Sequence, residues 1–257
     1  MEILDTHHIT DVWDRVFSAQ PGPSLWLVIV TGVLALGAVI PRTAWRLSRN
    51  AVTIAHEGGH GLVALLTGRR LDGIRLHSDT SGLTVSRGKP HGPGMILTAA
   101  AGYLAPSLLG LAGAALLGAG HTTALLWGAT ALLLAMLVMI RNAYGVLTVV
   151  LAGGTFLLVS LLTAPEVQAG FAYAVVWFLL LGGVRPPFEL QGKRRRMMRA
   201  ASAARAGVVV GRGAGPGDSD PDQLARLTHV PAGVWLGFFH VVTLCSLMGG
   251  GRWLLGV

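Results

Sequence analysis

The chain has a single cysteine, Cys245, among 257 residues. That excludes an intrachain disulfide framework and any zinc knuckle built from cysteines of one chain. Charge is scarce too: Asp, Glu, Lys and Arg together make up 12% of the residues, against 52% hydrophobic ones. A soluble domain of this length needs a far larger polar coating, so the shortage of charge points to folding in lipid. What is present agrees with that. Seven segments, roughly 22–41, 50–68, 93–118, 122–140, 143–163, 168–184 and 230–251, stay almost free of charge. Each is near the length of about 20 helical residues that crosses a hydrocarbon layer. Gly118-Ala119-Gly120-His121 and Ala164-Pro165-Glu166 are the turn signals that divide the two longest apolar runs. The expected fold is an α-helical polytopic membrane protein of about seven transmembrane helices. The first span follows an acidic, His-containing leader whose one basic residue is Arg15. That is no basic n-region, and the segment reads as a retained span.

The net charge of +8 invites a nucleic-acid reading, but the charges are placed by topology. With a cytoplasmic amino terminus, alternating loops gather all of the 20 Lys and Arg residues on the cytoplasmic side except Arg42, Arg46, Arg49 and Arg252. The positive-inside bias selects this orientation in a cell membrane, with lipid and no nucleic acid as the partner. The cluster Lys193, Arg194, Arg195, Arg196, Arg199 reads either as a contact for anionic headgroups or as part of a solvated, flexible loop over 186–218. The chain then divides into a cytoplasmic leader (1–21), a membrane core (22–184), a basic cytoplasmic loop with an acidic element (185–229) and a final span (230–257).

Chemistry concentrates in the second span, His56-Glu57-Gly58-Gly59-His60. Histidines four apart share one helix face, so both imidazoles reach a single metal ion. Glu57 then lies beside that ion, placed to take a proton from its water, which is the division of labour of H-E-x-x-H metallohydrolases. Three ionisable side chains in an apolar span cost roughly 2–3 kcal/mol each unless paired or coordinating. A buried polar cluster that only fastens helices is the alternative, and it gives no reason for metal-ligand spacing. Alternation in Ile74-Arg75-Leu76-His77 and Gly82-Leu83-Thr84-Val85-Ser86, around Ser78-Asp79-Thr80-Ser81, predicts a β-hairpin within 72–90.

Ala55-His56-Glu57-Gly58-Gly59-His60-Gly61, the strand-forming segment after it, and Ala100-Ala101-Gly102-Tyr103-Leu104-Ala105-Pro106 resemble, in that order, the site-2 protease family of membrane-embedded zinc metallopeptidases, in its compact bacterial multi-pass branch. The resemblance implies a zinc helix, a membrane-associated β element, and a small-residue helix packed closely on the zinc helix. It also implies a third zinc ligand, an aspartate in a Leu-Asp-Gly element of a later span. Here the pattern departs. Leu71-Asp72-Gly73 has the letters but falls at the hairpin, and Leu151-Ala152-Gly153-Gly154 has alanine in place of the carboxylate. Asp218, Asp220 and Asp222 remain. Ser219-Asp220-Pro221-Asp222 is similar to an acidic element of the compact branch, and Asp220 and Asp222 are candidate ligands. The same residues are good helix N-cap chemistry. Asn142, beside Arg141, reads as one of an interfacial pair or as a hydrogen-bond donor to an extended substrate or oxyanion. His77, His91, His121, His229 and His240 lack ligand spacing.

The resulting expectation is an intramembrane zinc metalloprotease. His56, His60 and an aspartate hold zinc, Glu57 is base and proton donor, Asn142 touches substrate, and the substrate is a membrane-protein or peptide segment held extended by a hairpin edge. The alternatives are a non-catalytic metal-binding membrane protein with a decayed site, and a transporter that uses the histidines as a relay.

Overall fold

The computed structural model describes residue 14 and residues 16–205 and 219–257. Asp218 and most of the 1–21 leader lie outside them. Among the described residues, eight principal helices and one hairpin follow in chain order: α1 (Leu25–Val39), α2 (Arg42–Leu66), β1 (Arg70–Leu76), β2 (Gly82–Arg87), α3 (Pro93–Gly118), α4 (Thr122–Met139), α5 (Ala143–Leu162), α6 (Pro165–Arg205), α7 (Asp220–Thr228) and α8 (Ala232–Leu255). Helices α3, α4, α5, α6 and α8 are long and apolar enough to cross a membrane, and α1 with α2 forms a sixth candidate, bent by 103°. The first two apolar segments are therefore one broken unit. Its cause is local: Pro41 starts α2, and Arg42, Arg46 and Arg49 occupy its first two turns before the apolar part begins. From α6, Arg185 donates to the carbonyls of Val39 and Ile40, orphaned at the end of α1, and its guanidinium lies 4.8 Å from the Trp45 ring centroid.

The expected flexible loop from 186 is, up to Arg205, a continuation of α6. Leu190, Gln191, Lys193, Arg194, Met197 and Met198 are strong helix formers, and together they outweigh Pro186 and Pro187. At about 1.5 Å per residue the helix runs to about 60 Å, twice the hydrocarbon thickness, so its basic half projects beyond the span.

The hairpin is antiparallel, with an irregularity between Leu71 and Gly73. Its apolar residues Ile74 and Leu76 are buried with Ile54 of α2, Met136 and Ile140. Asn142 donates from Nδ2 to the Leu76 carbonyl at 2.6 Å and accepts from the Leu76 N–H at 3.1 Å. Arg141 N–H donates to the Ile74 carbonyl. These bonds place the hairpin and the α4–α5 corner on one face of the helix bundle. Helix α7, packed on α3 through Leu224, Ala99 and Ala100, reaches the same region.

Candidate metal centre

Helix α2 meets α3 at its glycines. A Cβ on Gly59 would overlap that of Ala105, and a Cβ on Gly102 would overlap the Nε2 atoms of His60 and His56. The small residues of both helices let the backbones approach and leave a cradle around the imidazoles. His60 is oriented from its far side: Nδ1 lies 2.7 Å from the Thr98 carbonyl, which only accepts, so Nδ1 carries the proton and Nε2 keeps its lone pair. The His56 ring stands edge-on to Tyr103, centroids 5.0 Å apart, and Tyr103 stacks on Phe239 of α8.

The third group comes from α7. Asp220 Oδ2 lies 3.3 Å from His56 Nε2 and 3.2 Å from His60 Nε2, and the two Nε2 atoms are 3.2 Å apart. The three atoms thus form a nearly equilateral triangle. Tetrahedral zinc with bonds of about 2.0 Å has edges of about 3.3 Å between its ligand atoms, so the triangle matches one face of that tetrahedron. Asp220 Oδ2 is buried, and its contacts with the imidazoles lack hydrogen-bond geometry. A buried anionic oxygen left in that state is costly unless a cation meets it. The donor set, two imidazoles and one carboxylate, is that of hydrolytic zinc sites that keep a position open.

Glu57, 5% exposed, faces the hairpin. The Thr84 hydroxyl lies 2.6 Å from Glu57 Oε2 and 3.1 Å from the Glu57 carbonyl. Gly82 is so close that a Cβ there would overlap the Glu57 side chain. Thr53 also donates to the Thr80 carbonyl, tying the turn to α2.

The other candidates lie elsewhere. Asp222 accepts from Arg194 Nη1 at 2.6 Å on Oδ1 and from the Ser219 hydroxyl at 2.6 Å on Oδ2. Burial would raise its carboxyl, and these two donors hold it low. Both Asp222 oxygens are therefore engaged away from the histidines. Asn142 has its amide committed to Leu76. Asp72 pairs across the hairpin with Arg87, Nε to Oδ2 at 2.6 Å. Ala152 sits among apolar residues near Val149 and Leu133. His229 ends α7 in the left-handed region, φ 59°, and His240 turns Nδ1 to the Leu236 carbonyl. Thr84, Thr98 and Arg194 were not singled out by spacing. Thr84 carried only its strand register, and Thr98 and Arg194 carried no signal that separated them from their neighbours.

The model of a family described as Peptidase M50B-like matches residues 29–250. The match takes in both histidines, the hairpin and Asp220. No curated protein and no solved structure matches the chain significantly.

Proposed function

Because the chain belongs to the Peptidase M50B-like family and so to the membrane metallopeptidases of site-2 protease type, we propose that it is a zinc metalloprotease that hydrolyses peptide bonds in or near the membrane segments of other proteins. The triangle of His56 Nε2, His60 Nε2 and Asp220 Oδ2 beside a buried Glu57 is the observation that carries this reading. Those three side chains would hold the ion, which when bound supplies a Lewis acid that brings the pKa of water to about 7. Glu57 takes the proton of the attacking water on its carboxylate and hands it to the departing amide nitrogen. The Thr84 hydroxyl, donating to Oε2, fixes the carboxylate and leaves Oε1 for the proton.

A helical substrate must unwind to expose a peptide bond, and an extended peptide needs partners for its backbone in a medium without water. The outer edge of β1 is occupied at Ile74 and Leu76 by Arg141 and Asn142. That leaves β2, paired with β1 on one side, to receive a substrate strand by backbone addition. On β2, Gly82 and Thr84 turn toward Glu57 while Leu83 and Val85 are exposed, so a strand added there lies next to the base. Asn142 serves this clamp from behind, as its anchor and not as a direct substrate contact. The site works in a cell membrane, with the hairpin, the α4–α5 corner and α7 on the cytoplasmic side, where positive charge gathers.

Zinc analysis of the purified full chain tests the reading. Wild type should hold close to one zinc per chain, His56→Ala and His60→Ala should lose it, and Asp220→Asn should bind it about 10-fold or more weakly. Equal zinc content in wild type and both histidine variants would refute the site.

A further inference from the structure

Asp220 reaches the histidines from a helix of nine residues, α7. Isolated helices shorter than about 12 residues are marginal, so the pose of α7 depends on what it packs against. Two attachments are present. Leu224 and Leu227 lie in the apolar cluster with Ala99, Ala100, Tyr103 and Phe239. At the first turn, Asp222 is held by Arg194 of α6 and by Ser219. Residues two apart on a helix point about 200° away from each other. Turning Asp222 to α6 therefore turns Asp220 toward α2. The apolar cluster grips α7 along its later turn, and greasy contacts allow rotation and sliding. The Arg194–Asp222 pair, with both side chains less than a third exposed, fixes the rotation at the end that carries the ligand.

We infer that Arg194 and Asp222 form a latch between the projecting half of α6 and α7 that positions Asp220 as the third metal ligand; the inference rests on the zinc reading of the site. Arg194 is thereby set apart from Lys193, Arg195, Arg196 and Arg199, which are exposed. The metal site depends on a part of the chain that lies outside the hydrocarbon layer.

The test is a double-variant cycle on the full chain in nanodiscs. It uses chelator competition for zinc affinity and the visible absorption of the cobalt(II) form as a report on the ligand set. Arg194→Gln and Asp222→Asn should each weaken zinc about 10–100-fold, the range for residues that orient a metal ligand, and shift the cobalt spectrum in the same way. The double variant should lose no more than the worse single one, because either change opens the same latch. Arg194→Lys, which keeps the charge and a donor, should retain most of the affinity, and Arg195→Gln should leave it unchanged. Wild-type affinity in both single variants, or losses that add in the double one, would overturn the latch while leaving the zinc site standing. A wild type that holds no zinc would overturn both.

Discussion

Helices α3 and α5 are both apolar and of membrane length, yet they are built for opposite neighbours. Of the most apolar stretch of α3, 44% of residues are buried within the protein, against 11% in α5. Hydrophobicity does not draw a helix inward: α5, with mean hydropathy 2.3 against 1.6, is the more apolar of the two and the less buried. Helix α3 carries Ala99, Ala100, Ala101, Gly102, Ala105, Ser107, Gly110 and Gly113 inward, whereas α5 turns Leu147, Val150, Leu151, Leu158, Leu161 and Leu162 outward. Lipid tails are as apolar as leucine, so burying leucine in a bilayer gives no advantage over leaving it exposed. Small residues decide which helices come together, and chemistry needs that closeness: the imidazoles of α2 fit against α3 only because position 102 has no side chain.

Breaking the contrast on its small-residue side should have the largest effect. In Gly102→Ala the new methyl occupies the space at both Nε2 atoms, so zinc and all metal-dependent hydrolysis should be lost. Gly154→Ala in α5, where a Cβ meets nothing within 4 Å, should leave zinc content unchanged. Zinc analysis of the two variants side by side is the measurement. Retention of metal by Gly102→Ala would show that the cradle does not shape the site.

The next effect separates holding a metal from using it. Glu57→Gln keeps the shape of a buried side chain but removes the base, so zinc should stay while hydrolysis of a membrane substrate falls by about 10²–10⁴-fold. Unchanged hydrolysis would exclude Glu57 from proton transfer. Smaller again is the effect of Thr84→Val, which removes a single hydroxyl from the Glu57 carboxylate. Turnover should drop by roughly 10-fold with zinc content intact, about 1.4 kcal/mol, near the lower end of what one hydrogen bond to a charged group contributes. A rise in KM with turnover unchanged would instead give Thr84 a part in substrate binding alone.

These effects follow how the site is encoded. His56, Glu57 and His60 were legible because helical periodicity alone brings two residues four apart to one face, with no help from the rest of the chain. The hairpin was legible for the same kind of reason, an alternation of period two. Asp220 lies 160 residues beyond His60 by its number, and spacing could offer it only together with Asp218 and Asp222. Choosing Asp220 required the rotation of α7, which depends on Arg194 and on the apolar seat of Leu224. Likewise Asn142 could be read as interfacial or substrate-binding, since nothing local announces that its amide closes on Leu76, 66 residues earlier. Pro41 and the arginines after it signal the bend between α1 and α2 locally, but nothing local announces that Arg185 of α6 caps the carbonyls that end α1, and the helical 186–205 segment rests on summed propensity that the two prolines concealed.

The smallest effect tests the most familiar-looking letters in the chain. Leu71-Asp72-Gly73 reproduces the element that supplies the third ligand in the resembling family, but twelve residues after His60 it falls on β1. There Asp72 pairs with Arg87, whose side chain is 79% exposed. Exposed pairs contribute about 0–1 kcal/mol, screened further by salt. Gly73 sits where the backbone passes the Arg141 side chain, a packing reason for glycine that involves no metal. Asp72→Asn should therefore leave zinc affinity within twofold of wild type, about 0.4 kcal/mol, and lower the thermal midpoint by a degree or so at most, whereas Asp220→Asn lowers the affinity by about 10-fold or more. If Asp72→Asn were the variant that released zinc, β1 would have to swing its outer edge from Arg141 and Asn142 to bring Asp72 to the histidines. In that event the fixed hairpin, and the β2 clamp argued from it, would both be wrong.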